Sequence, residues 1–164
     1  MLYLLDANVL IDANRDYYPA SRVPEFWSWL SHTGEQGKAK IPEEIYEELA
    51  EGRDPLSDWL RDYKRHMLLS ESVRPDLVDD VIRQGYAEDL TDEEITKMGR
   101  DPFLVAHALA FPGQRCVVTT EASKPKRTRA NRHIPDVCRD LGVPSCNTFE
   151  FLRRLDFSTG WRGP

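Results

Sequence analysis

Residues 2–5 and 9–11 are apolar on either side of Asp6-Ala7-Asn8, the pattern of a buried strand that runs into a turn or a helix start. From Pro24 onward Phe26, Trp27, Trp29 and Leu30 recur at helical spacing. Pro42 opens a second helix with an Ile45, Tyr46, Leu49 stripe that Gly52 closes, and Pro55 opens a third with Leu56, Trp59, Leu60 and Tyr63 on one side. Residues 75–90 suit a further helix. Thr91-Asp92-Glu93-Glu94 is a capping box for a short helix ending near Gly99. Asp101-Pro102 reads as an N-cap followed by proline, with Phe103, Leu104, Ala106, His107 and Leu109 carrying the helix to Pro112. Cys116–Thr120 is a β-rich run and predicts a strand. After the polar stretch 122–133 come a helix from Pro135 to Leu141, a small strand over 143–146, and a last helix from Thr148 in which Phe149, Phe151, Leu152 and Leu155 pack.

Short apolar strands separated by helices predict βαβ units, hence an α/β protein with a parallel sheet covered by helices. At 164 residues, with 40% hydrophobic and 10% aromatic side chains, the chain can fill one core. A single domain over residues 1–157 with a frayed tail at 158–164 is expected. No stretch approaches the length of a membrane helix and the short apolar start lacks a basic flank, so no membrane association is expected and a cytoplasmic location is. Cys116, Cys138 and Cys146 are odd in number and lack close pairs, which suits buried reduced thiols. The net charge of −6 works against a generic polyanion binder, because phosphate affinity draws on Lys and Arg.

Ligands of parallel α/β sheets gather where the carboxyl ends of strands meet the following loops. Asp6 and Glu121 close two strands, while Glu48 and Asp101 lie on helices that can lean over the same edge. Four carboxylates around one cleft repel one another, and the arrangement persists if a divalent cation neutralises it. Oxygen-only ligands select Mg²⁺ or Mn²⁺, and such centres serve phosphodiester hydrolysis. Each acid also has a plainer local reading. Asp6 suits a turn or N-cap, Asp101 an N-cap, Glu48 a solvated helix face, Glu121 a loop, and Asp136 a charge at a helix N-terminus.

The order Leu-Leu-Asp6-Ala-Asn8-Val-Leu-Ile, Ile-Pro-Glu-Glu-Ile-Tyr-Glu-Glu48-Leu, Asp101-Pro-Phe-Leu-Val-Ala-His-Ala, Val-Val-Thr-Thr-Glu121 resembles a PIN domain. The blocks span residues 1 to about 155. Ile134-Pro-Asp136-Val-Cys138 and Asn147-Thr-Phe-Glu-Phe-Leu further resemble a bacterial subgroup of PIN proteins similar to VapC toxins. The resemblance implies a Rossmann-like α/β/α sandwich and a Mg²⁺- or Mn²⁺-dependent endoribonuclease, with an antitoxin protein as partner and a homodimer as assembly. Asp6, Glu48 and Asp101 match the family's first three acids, and Glu48 is preferred to Glu47 for the leucine that follows it. Glu121 stands where many PIN domains carry Asp, which lengthens that ligand by a methylene. Asp136 matches a fifth acid. Asn8 and Thr119 would orient carboxylates or water.

Lys124, Lys126, Arg127, Arg129 and Arg132 lie together with no acid among residues 124–132, directly after Glu121. They read either as an arm gripping the RNA backbone or as a solvated loop. His107 on an apolar helix suits a satisfied core position, and Phe26, Trp27 and Trp29 suit core or interface. Two rival functions remain. A haloacid-dehalogenase-type phosphatase also begins with a strand ending in Asp, but Asn8 occupies the place of its general acid and an amide does not perform that proton transfer. A PIN-like module that binds RNA or protein without cutting stays open because of Glu121.

Overall fold

The computed structural model describes residues 1–163. Its centre is strand β1 (Leu2–Leu5), flanked on one side by β2 (Ala39–Lys40) and on the other by β3 (Arg115–Val118), with β4 (Ser145–Cys146) outermost. All pairings are parallel, in registers Tyr3↔Ala39, Leu4↔Val117 and Val118↔Cys146. Leu4, Leu5, Val117 and Val118 are fully buried, as expected of a parallel sheet covered on both faces, whose strands read as continuous apolar runs. The helices are α1 (Ala7–Asp12), α2 (Pro24–Glu35), α3 (Glu43–Ala50), α4 (Pro55–Asp62), α5 (Lys64–Met67), α6 (Pro75–Asp80), α7 (Asp92–Met98), α8 (Asp101–Leu109), α9 (Ile134–Asp140) and α10 (Thr148–Arg154). The result is a Rossmann-like α/β/α sandwich. No helix among the described residues is long and apolar enough to cross a membrane.

Sequence signals account for most element starts. Thr91 and Asn147 each complete a capping box, with Glu94 and Glu150 respectively. Proline stands in the first turn of α2, α4, α6, α8 and α9, where its missing N–H costs nothing. Phe26, Trp27 and Trp29 are buried in the core. His107 is buried as well and bonds Glu44 at 3.1 Å.

Four details differ from the sequence pattern. Strand β2 gives no apolar run, because it is two residues long at the sheet edge beside lysines, a common way of blunting an edge. Two helices widen into π turns, α1 through Ala13–Tyr17 and α6 through Val81–Tyr86, so residues 75–90 are no uniform helix. Phe149 is 45% exposed instead of packed inward. Of the tail 158–164, residues 158–163 fold back, with Trp161 Nε1 donating to the Glu25 carbonyl and its ring stacked on His32; Pro164 lies outside the described residues.

The turn through Val81–Tyr86 packs on α9 through Gly85. A methyl group there would meet Val137 Cγ1 at 2.7 Å, and the Gly85 carbonyl accepts from Arg132 at 2.6 Å. Gly85→Ala is therefore expected to destabilise the fold by about 1–3 kcal/mol, the usual range for overpacking, read as a lowered midpoint in denaturant unfolding.

Candidate active site

Asp6 follows β1 directly and is only 4% exposed. Its backbone N–H donates to the Val118 carbonyl, which ties it to the end of β3. Its side-chain Oδ2 accepts from the Thr119 hydroxyl at 2.9 Å, and the same hydroxyl oxygen accepts from the Glu121 N–H at 3.2 Å. Thr119 is itself buried, so one threonine sets the carboxylate after β1 and the backbone after β3. Burial raises the Asp6 carboxyl to about 6 and the Glu121 charge adds to this, while the Thr119 hydroxyl and the Ala7 and Asn8 amides oppose it.

Asp101 begins α8. Arg100 takes the capping position and Pro102 falls one place further in, so the carboxylate is not the N-cap its Asp-Pro context suggests and makes no capping bond. It is free to face its neighbours. Burial pushes it to about 8, followed by the fields of Asp6, Glu121 and Glu48 in that order. The structure thus brings these four acids, drawn from β1, α3, α8 and the end of β3, into one electrostatic neighbourhood. Among the described residues no three His, Cys, Asp or Glu side chains converge into a finished metal cage. Glu48 is exposed on α3, and one Glu121 oxygen accepts from the Ile134 N–H at 2.7 Å, at the start of α9. The donor set is nonetheless all carboxylate oxygen, the chemistry that suits a hard divalent cation.

Asp136 is not part of this group. It is buried on α9 and accepts from the Ser123 hydroxyl at 2.6 Å, the Lys124 N–H at 2.7 Å and Arg139 at 3.2 Å. Burial alone would raise its carboxyl, but these bonds outweigh that and hold it below the usual range. Its work is to pin the start of the basic loop. Asn8 is exposed and reaches Asp6 through its backbone amide.

The five cations divide. Arg129 bonds Glu94 and Asp89, all at 2.8 Å, from a backbone with φ of +54°. Arg132 binds the Gly85 carbonyl and Asp140. These two hold the loop against α7 and the turn after α6. Lys124, Lys126 and Arg127 are exposed and make no ion pair among the described residues.

Sequence reasoning missed Tyr86. It closes the widened turn after α6, is 7% exposed, and its hydroxyl has no hydrogen-bond partner among the described residues. Burial and then the charges of Asp101 and Glu121 raise it above its ordinary value, so it stays protonated within the field of those two acids. A tyrosine after glycine in a polar stretch gives no sequence signal for this.

Fold and site together define an α/β/α protein with an acid-lined carboxyl edge. The chain belongs to a family described as a domain of unknown function, DUF4411, which matches residues 3–159. No curated protein and no solved structure matches it.

The raised acids set a pH dependence. In the metal-free protein Asp6 and Asp101 hold protons that the unfolded chain has already lost, so stability falls as pH rises from about 4 and levels off above about 8. Asp101→Asn is expected to flatten the upper half of that profile and to raise the metal-free Tm at the alkaline end, by about 2–4 °C per kcal/mol recovered. Thermal unfolding with chelator across this pH range checks it.

Proposed function

We propose that the protein is a divalent-metal-dependent endoribonuclease of the PIN type. What carries this reading is the crowding of Asp6, Glu48 and Glu121 around Asp101, a carboxylate not spent on its own helix and displaced to about 8. Such repulsion is stable in a folded protein when a cation offsets it. Asp6, Asp101 and Glu121 would hold Mg²⁺ or Mn²⁺, with Glu48 completing the set or orienting water. When bound, the ion would supply Lewis acidity toward a phosphate oxygen and lower the pKa of a water.

The chain's own residues do the rest. Thr119 fixes the Asp6 carboxylate through Oδ2. Tyr86 offers an O–H donor to an oxygen held among the acids. Lys124, Lys126 and Arg127, free of structural ion pairs, attract the RNA backbone beside the acids, while Arg129 and Arg132 keep their loop in place. Hydrolysis in which water adds to phosphorus and the 3′-oxygen leaves would give 5′-phosphate and 3′-hydroxyl ends. The toxin role, the antitoxin partner and the homodimer rest on the resemblance to PIN toxins alone. The competing reading is a PIN-like module that binds RNA or protein and cuts weakly or not at all. What favours it is the Glu121 oxygen committed to the Ile134 amide.

Asp6→Asn is expected to abolish Mn²⁺-dependent cleavage of RNA, with 5′-phosphate ends mapped by sequencing from the wild type. Cyclic 2′,3′-phosphate products would contradict the mechanism. Replacing Lys124, Lys126 and Arg127 together by Ala is expected to reduce the salt slope of single-stranded RNA binding by about 2 and to leave Tm unchanged. Arg129→Ala is expected instead to lower Tm, because it breaks bonds that hold the loop.

A further inference from the structure

Beside the acids the same sheet edge holds a cavity. It measures about 300 Å³ and is lined by Asp12, Tyr17, Thr120, Asn147, Thr148 and Phe149. Thr120 lies one residue past Thr119, and Asn147 directly follows β4. In the order β2-β1-β3-β4, the cavity's Thr120 follows the strand next to that of Asp6 and its Asn147 the strand after that, at about 4.8 Å per strand.

Its walls are unusual for a protein surface. Tyr17 and Phe149 are 50% and 45% exposed, with their rings edge to face at 5.2 Å. Two large aromatic rings held in water forgo the burial that drives the other aromatics of this chain inward. Thr148 is 4% exposed and its buried hydroxyl has no hydrogen-bond partner among the described residues, although buried hydroxyls are normally satisfied. Asp12 uses Oδ1 on Arg15 at 2.8 Å, and no described residue engages its Oδ2. The cavity therefore combines flat apolar faces, a hydroxyl in need of a partner and one acceptor of N–H groups. Asp12 is its one charged lining residue, which excludes a phosphate as occupant.

We infer that this cavity is a nucleobase subsite, holding one unstacked base of a single-stranded RNA next to the acid cluster. The inference rests on the ribonuclease reading and names its substrate class. The base stacks on Phe149 or Tyr17, donates an edge N–H to Asp12 and meets the Thr148 hydroxyl. Duplex RNA keeps its bases paired and cannot fill the cavity. An aromatic side chain of a protein would stack but would leave Thr148 and Asp12 unsatisfied.

The test is anisotropy of labelled short oligoadenylate, its abasic analogue and a duplex RNA, bound to the wild type and to Phe149→Ala, Phe149→Leu and Thr148→Val in chelator. Single-strand affinity is expected to fall about 5- to 100-fold in Phe149→Ala, the range for one stacked base. Phe149→Leu should lose nearly as much and Thr148→Val less, with abasic and duplex binding unchanged in all three. Mn²⁺-dependent cleavage by the wild type is measured alongside. Unchanged binding by Phe149→Ala, or an equal loss on the abasic strand, overturns the subsite while retained cleavage leaves the nuclease reading intact. Base-dependent loss without any cleavage supports the subsite and overturns the nuclease. A shift of Phe149→Ala from dimer to monomer with RNA binding unchanged overturns the subsite in favour of a contact between copies.

Discussion

Two carboxylates at the carboxyl edge of a parallel sheet, Asp6 buried and Asp101 half-buried, are the constraint around which this molecule is arranged. Asp6 sits in the core beside fully buried Leu4 and Leu5, where an ionised group is costly without compensation. Compensation comes from one hydroxyl, that of Thr119, whose position the β1–β3 register fixes. Among the described residues Asp101 has no such partner. Its place at the start of α8 puts it in the field of Asp6, Glu121 and Glu48, all of the same sign. Hydrophobic packing of the sheet and α8 holds this repulsion in place, so the core stabilises an edge that is itself unfavourable. Structures of this kind concentrate at functional sites.

The surrounding elements serve the same edge. Asp136, Arg129 and Arg132 fasten the loop after Glu121 at both ends, leaving Lys124, Lys126 and Arg127 outward. An acidic chain thereby carries a local basic arm next to its acids. Both π turns end in a tyrosine. Tyr86 lies in the field of Asp101 and Glu121 and Tyr17 lines the neighbouring cavity. An extra residue per turn re-aims a side chain without breaking the helix, and such insertions recur at functional sites.

The fold was legible in the sequence wherever a feature was local. The apolar runs of β1 and β3, the prolines at helix starts and the two capping boxes each act within a few residues. The edge strand β2 was not legible, because its pairing depends on a neighbour and not on its own hydrophobicity. Among the site residues, Asp6 and Glu121 could be named from their positions at strand ends, while Glu48 and Asp101, on helices, were singled out by the resemblance to PIN domains. Asp136 could not be assigned, because an acid after proline looks the same whether it faces a metal or a loop amide. Arg129 and Arg132 could not be told from Lys126 and Arg127, since the acids that hold them are 35 to 40 residues away for Arg129 and on the next helix turns for Arg132. Tyr86 and Phe149 carried the opposite error: the pattern gave one no role and placed the other in the core.

We propose that the crowded acids are a cation site, and proton release on binding reports on it. At neutral pH Asp101, at about 8, holds a proton that a bound cation must displace. Calorimetric titration of Mn²⁺ into the protein, in buffers of different ionisation enthalpy, should show one binding process releasing about one proton per ion, with binding lost in Asp101→Asn. Absence of binding in the wild type, or binding without proton release that survives Asp101→Asn, would contradict the account.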